Sequence, residues 1–209
     1  MSPGFELLFI DDTLLVVNKP AGMLSVPGRS ADLQDCMATR VQAEIPDALV
    51  VHRLDMATSG LLLFARGKAA QRRLSHAFAE REVEKRYVAV VAGSVADDAG
   101  VIDLPLITDW PNRPLQKVDF DEGKPSVTRY RVIQRVGGDS RVELEPLTGR
   151  SHQLRVHMLA IGHPILGDAL YATPAVLARS DRLLLHARVL SFVHPVAGTV
   201  LRFESEVPF

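Results

Sequence analysis

The sequence predicts an α+β fold. Three observations carry that reading: short apolar runs of strand length recur along the chain, three segments space their apolar residues as a helix does, and Gly, Pro and Asn clusters mark the joins. No internal repeat, heptad array or low-complexity linker interrupts the pattern, so residues 1–209 read as one domain. Hydrophobic residues make up 47% of the chain, enough for a full core. A domain of this size buries roughly 70% of its unfolded surface.

Each element follows from local pattern. Leu14–Val17 is a continuous apolar run that stops at Asn18-Lys19-Pro20-Ala21-Gly22, a strand and then a turn. Residues 31–44 place Leu33, Met37 and Val41 at helical spacing before Pro46 ends the segment. The apolar stretches Ala48–Val51 and Leu61–Phe64 flank a polar loop, and Leu61–Ala65 reads as a buried strand. Gly67–Glu80 is a helix with Ala70, Leu74, Ala77 and Phe78 on one face and arginines opposite.

Tyr87–Ala92 is a strand closed by Gly93, and a Pro-rich excursion, Pro105–Pro114, comes later. Residues 97–103 and 109–123 read as loops able to move independently. Val127–Val136 and Arg141–Leu147 form a hairpin around Gly137 and Gly138. Ser151–Ile161 is a short helix capped by Ser151, with Leu154, Met158 and Leu159 inward. Strands at Arg182–Val193 and Thr199–Glu204 follow.

Composition removes several classes of function. No apolar run approaches the ~20 residues that span a bilayer, and the N-terminus lacks the pattern of a signal or transit peptide. Cys36 is the sole cysteine, which argues against a disulfide framework or thiolate metal cluster and fits a reducing cytoplasm. The net charge is −1, yet its distribution is uneven. Residues 1–50 carry seven acids and three bases, whereas residues 66–86 carry seven bases and three acids. Arg150–His157 adds two arginines and two histidines without an acid. Basic stretches of this kind beside a polar loop point to an anionic partner.

That loop, VHRLDMATSG (Val51–Gly60), sets Asp55 between the basic pair His52 and Arg53 and the small residues Thr58, Ser59 and Gly60. An arginine such as Arg53, Arg150 or Arg155 could hold such an acid through two parallel bonds and keep it charged for nucleophilic or proton-transfer work. The segment GRSHQLRVH puts Arg150, Gln153 and His157 within helical reach of one another, a set suited to phosphate or carboxylate. Metal chemistry lacks its spacing: His152 and His157 are five apart with no intervening glutamate. An aspartyl-phosphatase loop wants a second acid at position 57, where Ala57 stands. No phosphate-binding glycine loop or nucleophile elbow is present.

VHRLDMATSG resembles the signature loop of the RluA-type pseudouridine synthases. NKPAGMLSVPG (Asn18–Gly28), EKRYVAVVAG (Glu84–Gly93) and GRSHQLRVHMLAIGHPILGDALYA (Gly149–Ala172) resemble three further motifs of that family, in the same order. The resemblance implies a single catalytic domain over residues 1–209, with a mixed, mostly antiparallel sheet flanked by helices and no S4 domain. It implies Asp55 as the catalytic aspartate, Arg155 as the arginine paired with it, and Tyr87 as the tyrosine that packs on the target base and removes its C5 proton. Arg53 matches the residue that extrudes the uridine. By residue type and position, His52, Arg150, Gln153 and His157 are expected as further RNA contacts.

DWPNRP (Asp109–Pro114) and GKPSVTRY (Gly123–Tyr130) resemble a subtype that acts on a large-subunit rRNA hairpin loop and a tRNA anticodon stem-loop. The implied chemistry breaks the N1–C1′ bond, turns the uracil and joins C5 to C1′. No atom is gained or lost, so no cofactor or metal is expected. The expected partner is RNA, not a membrane, and the expected state is a monomer. A noncatalytic RNA-binding or ribosome-assembly factor of the same fold is the competing reading, and the complete Asp55, Tyr87 and Arg155 set speaks against it. A synthase restricted to rRNA or to tRNA alone is the other.

Overall fold

The most apolar runs become the innermost strands. In the computed structural model, which describes residues 5–209, the elements in chain order are β1 (Glu6–Ile10), β2 (Leu14–Lys19), α1 (Met37–Glu44), β3 (Ala48–Val50), β4 (Ser59–Arg66), α2 (Gly67–Ala79) and β5 (Glu84–Val91). There follow β6 (Ala99–Asp103), β7 (Leu106–Thr108), β8 (Gln116–Val118), β9 (Val127–Val136) and β10 (Asp139–Pro146). The chain then forms α3 (Gln153–Ala160), α4 (Pro174–Leu177), β11 (Leu185–Val193) and β12 (Val200–Glu204). The predicted α+β class holds.

Contacts divide the chain into two compact units. The first runs to Lys85 and resumes at Ala187–Pro208; the second is Arg86–His186 with Phe209. The chain passes between them inside β5 and again inside β11, so no linker or change of composition marks the division.

In the first unit the strand order is β1-β2-β4-β11, with β3 on β4 and β12 on β11. β2 pairs antiparallel with β4 from Leu14↔Ala65 to Lys19↔Gly60. Every residue of β4 except Arg66 is buried, as a continuous apolar run requires when both sheet faces are covered. One core holds Leu14 and Val16 from β2, Leu61 and Leu63 from β4, Ala70 and Leu74 from α2, and Leu190 and Phe192 from β11. The predicted face of α2 is the one that packs, with Ala77 and Phe78 against the same cluster.

In the second unit β5-β10-β9-β6 lie in order, and the printed pairings are antiparallel. The hairpin between β9 and β10 turns at Gly137 (φ 61°) and Gly138 (φ 83°), both left-handed, as a two-residue hairpin of matching twist demands. β10 alternates buried and half-buried residues without a break.

Several expectations are corrected. The helix expected over 31–44 is split into a 3-10 turn at Ala31–Leu33 and α1, and Leu33 is exposed. The break lies at Cys36, whose side chain accepts from Thr39 N–H while Thr39 Oγ1 accepts from Cys36 N–H; this reciprocal cap starts the helix late. Residues 99–103, expected as a loop, form β6 on β9, and the excursion at 105–118 contains the β7–β8 hairpin. The α3 helix begins at Gln153 behind His152, which sits in the left-handed region (φ 53°), so Ser151 is not its cap; Leu159 faces outward.

Gly60 adopts φ +114°, and a Cβ there would lie 2.3 Å from the Ala187 carbonyl oxygen. The atoms it would meet belong to the Ala187 backbone and cannot yield locally. Gly60→Ala is expected to destabilise the protein by about 3 kcal/mol in urea unfolding. An unchanged midpoint would mean that this close approach is not required.

Candidate active site

Asp55 sits in the loop Val51–Thr58 between β3 and β4. Its carbonyl oxygen accepts from Thr58 N–H at 3.1 Å, closing a turn directly after the acid. The loop is tied to the turn that follows β2. Lys19 is 1% exposed, and its ammonium donates to the carbonyl oxygens of Pro20 (2.9 Å), Met23 (2.7 Å) and Met56 (3.1 Å). Met56 O also accepts from Gly22 N–H at 2.9 Å. Buried backbone groups need such partners, and this segment finds them in side chains and turns rather than in a strand ladder.

Arg53 is exposed. His52 is used differently from expectation. Its ring stacks on Phe78 (centroids 4.5 Å apart, 19° between planes), and its Nε2 accepts from Leu63 N–H at 3.0 Å. Burial, with a smaller contribution from the charge on Lys85, pushes the imidazole down to about 3, so it is neutral at physiological pH. His52 therefore joins the loop to β4 and is not a cationic RNA contact.

The second unit contains Tyr87, Arg150, Gln153, Arg155 and His157. Tyr87 is half-buried on β5, opposite Leu144 of β10. Arg155 is 4% exposed and grips Asp168, which is 1% exposed. The grip is two-pronged: Nε donates to Oδ2 at 2.8 Å and Nη2 to Oδ1 at 2.6 Å. Asp168 Oδ1 further accepts from the N–H groups of Leu170 and Tyr171. The Tyr171 ring lies 5.0 Å from the guanidinium carbon, in cation–π range. Tyr171 Oη accepts from Gln116 N–H at 2.9 Å and shares a hydrogen bond with His152 Nδ1 at 2.6 Å.

Gln153 and His157, expected as outward contacts, are turned into the interior of the unit. Gln153 is 4% exposed, and both ends of its amide are occupied inside the unit. Its oxygen accepts from Thr148 Oγ1 (2.7 Å) and Arg150 N–H (3.0 Å), while its nitrogen donates to Val127 O and Thr128 Oγ1. His157 is fully buried, donating from Nε2 to Leu104 O at 3.0 Å and accepting from Thr128 Oγ1 at Nδ1. Burial lowers its pKa and keeps the ring neutral. These residues lock the start of α3 onto β9, the arrangement that carries Arg155. Arg150 is exposed, with Nε donating to Pro125 O.

Sequence reasoning missed Lys19, Asp168, Tyr171 and His152. All four lie inside motifs already singled out, NKPAGMLSVPG and GRSHQLRVHMLAIGHPILGDALYA, and for Lys19 and Asp168 a charged residue within a largely apolar stretch was the available signal.

Residues 13–160, more than half of the chain, match the family model described as RNA pseudouridylate synthase, and the chain belongs to that family. Among individual relatives it is similar to the dual-specificity RNA pseudouridine synthase RluA of Yersinia pestis, 55% identical over 204 residues that cover 97% of this chain and 99% of that one. The protein of the same name from Escherichia coli strain K12 is 52% identical over 208 residues, covering 99% and 95%. The structure of human RNA pseudouridylate synthase domain containing 1 superposes with TM-score 0.82 at 30% identity, covering 99% of this chain and 85% of that chain. Human RNA pseudouridylate synthase domain containing 4 gives 0.78 at 26%, covering 97% and 88%. The family read from the four motifs is thus the family found.

His52 supplies a test of the loop's anchoring. The folded ring is neutral down to about pH 3, whereas an unfolded histidine takes a proton below its ordinary 6.5. Its contribution is complete above that value and is lost as pH falls through the window, at about 1.4 kcal/mol per pH unit. His52→Gln, which keeps an acceptor but cannot be protonated, is expected to flatten this part of the stability–pH curve. Urea unfolding at about pH 7 and about pH 5 measures it, the wild type losing up to about 2 kcal/mol more than the variant. Parallel curves would mean that His52 is not the titrating group.

Proposed function

We propose that this chain isomerises specific uridines of RNA to pseudouridine, with Asp55 attacking or deprotonating the nucleotide. The observation that carries the reading is the Asp55 loop itself, HRLDMATSG, pinned to Lys19 and Gly22 at Met56. Relatives more than 50% identical over almost the whole chain support it. The proposed substrates are a hairpin loop of large-subunit (23S) rRNA and the anticodon stem-loop of tRNA, in line with the words dual-specificity in those relatives' names. We assign it to the cytoplasm as a monomer working on RNA without cofactor or metal. No helix among the described residues is long and apolar enough to cross a membrane.

The target uridine must leave its stack before C1′ and C5 can be reached, at a cost of a few kcal/mol that is lower in a loop than in a duplex. Exposed Arg53 is placed in the sequence to fill the vacated space and stack on neighbouring bases. Arg155, fixed by Asp168 and Tyr171, is the proposed partner of the Asp55 carboxylate. Tyr87 provides an aromatic face for the uracil and a hydroxyl for removal of the C5 proton.

Two outcomes test this. Asp55→Asn is expected to abolish pseudouridine formation on a stem-loop substrate while RNA affinity stays within about tenfold; persistent turnover would refute the assignment. On α2, Lys68 and Arg72 are exposed one turn apart, whereas Arg66 is held by Asp47 and Arg73 donates to Pro195 O. Replacing Lys68 and Arg72 together by Gln is expected to weaken RNA binding across sequences and to lower the slope of log affinity against log salt by about 1.5. An unaltered slope would place the phosphate contacts elsewhere.

A further inference from the structure

One hydroxyl joins the turn after β2 to the residue immediately before Asp55. Ser25 is 3% exposed; its Oγ donates to the Leu54 carbonyl oxygen at 2.7 Å and accepts from Leu54 N–H at 3.0 Å. A single side chain thus satisfies both backbone groups of Leu54, which is itself 8% exposed. Ser25 is in turn anchored to the start of α1: its carbonyl accepts from Ala38 N–H at 3.2 Å, and the Leu24 carbonyl accepts from Met37 N–H at 2.8 Å.

We propose that Ser25 is a positioning residue for the Asp55 carboxylate. The Leu54 carbonyl belongs to the peptide plane that enters the Asp55 Cα, so the Ser25 hydroxyl sets the orientation of that plane. The plane that leaves Asp55 is set by Thr58 N–H, which donates to Asp55 O at 3.1 Å. With both planes fixed, the Cα–Cβ direction of Asp55 is fixed, and the carboxylate needs only its own rotamer to be selected. Removing the hydroxyl leaves a buried N–H and a buried C=O unpaired, which the loop can relieve only by shifting toward water. A shift of about 1 Å in a reacting group costs up to about a hundredfold in rate. The inference rests on the reading that Asp55 performs the chemistry.

The test compares Ser25→Ala and Ser25→Thr on a stem-loop RNA, with backbone amide exchange read alongside activity. Ser25→Ala is expected to lower kcat about 10- to 100-fold with KM within about threefold, and Ser25→Thr, which keeps the hydroxyl, to recover most of the loss. Amide exchange at Leu54 should quicken at least about tenfold in Ser25→Ala while β2 and β4 exchange as in the wild type. An unchanged kcat, or a loss matched by uniformly faster exchange and a smaller folded fraction, overturns the proposal. If Ser25→Ala does not fold, Ser25→Cys, which keeps the volume but hydrogen-bonds weakly, is read by the same two measurements. Activity in Asp55→Asn would defeat the catalytic reading instead, and Leu54 exchange would still report whether the clamp exists.

Discussion

A loop cannot be both buried and irregular unless other parts of the chain meet its backbone hydrogen bonds. That constraint governs the first unit. Residues 54–56 lie outside any strand, yet Leu54 is served by Ser25 and Met56 by Lys19 and Gly22. The last residue of β2 and the turn after it supply all of these groups. This stretch, NKPAGMLS, therefore serves a loop some thirty positions away as well as its own turn. The buried ammonium of Lys19 is tolerated because three carbonyl dipoles converge on it.

The second unit solves a related problem for a cation. A guanidinium as buried as that of Arg155 needs charge and geometry answered together, and Asp168 does both through a two-pronged bond. Asp168 is itself held by two backbone N–H groups, and Tyr171 covers the guanidinium face. Around them Gln153, Thr148, Thr128 and His157 form a hydrogen-bonded chain with every donor and acceptor oriented. Such a chain works only with a neutral histidine, which burial ensures. The result is an arginine whose position is fixed within its own unit.

Charge along the sequence is a poor guide to charge on the surface. Of the seven bases counted over residues 66–86, Arg66 is bound to Asp47 and Arg73 to a carbonyl. Lys85 is partly buried, with its pKa lowered by that burial. Lys68 and Arg72 remain on the outer face of α2, where a polyanion can reach them. A basic run fixes how many charges are available; the helix and its neighbours decide which of them face the partner.

The sequence by itself determined the fold class, the buried strand β4, the core face of α2, the Gly137–Gly138 hairpin and the family, because each depends on periodicity or on contiguous motifs. It also determined that Asp55 lies in a loop between apolar strands. It did not determine the late start of α1, where a cysteine cap competes with helical spacing, or the strand at residues 99–103, whose partner β9 lies far along the chain. Nor did it reveal that Gln153 and His157 are internal struts, that His52 serves Leu63, or that Asp168 holds Arg155. A polar side chain has the same letter whether it meets RNA or a buried carbonyl. Which of the two it meets depends on groups brought beside it from distant parts of the chain, and only the tertiary structure decides that.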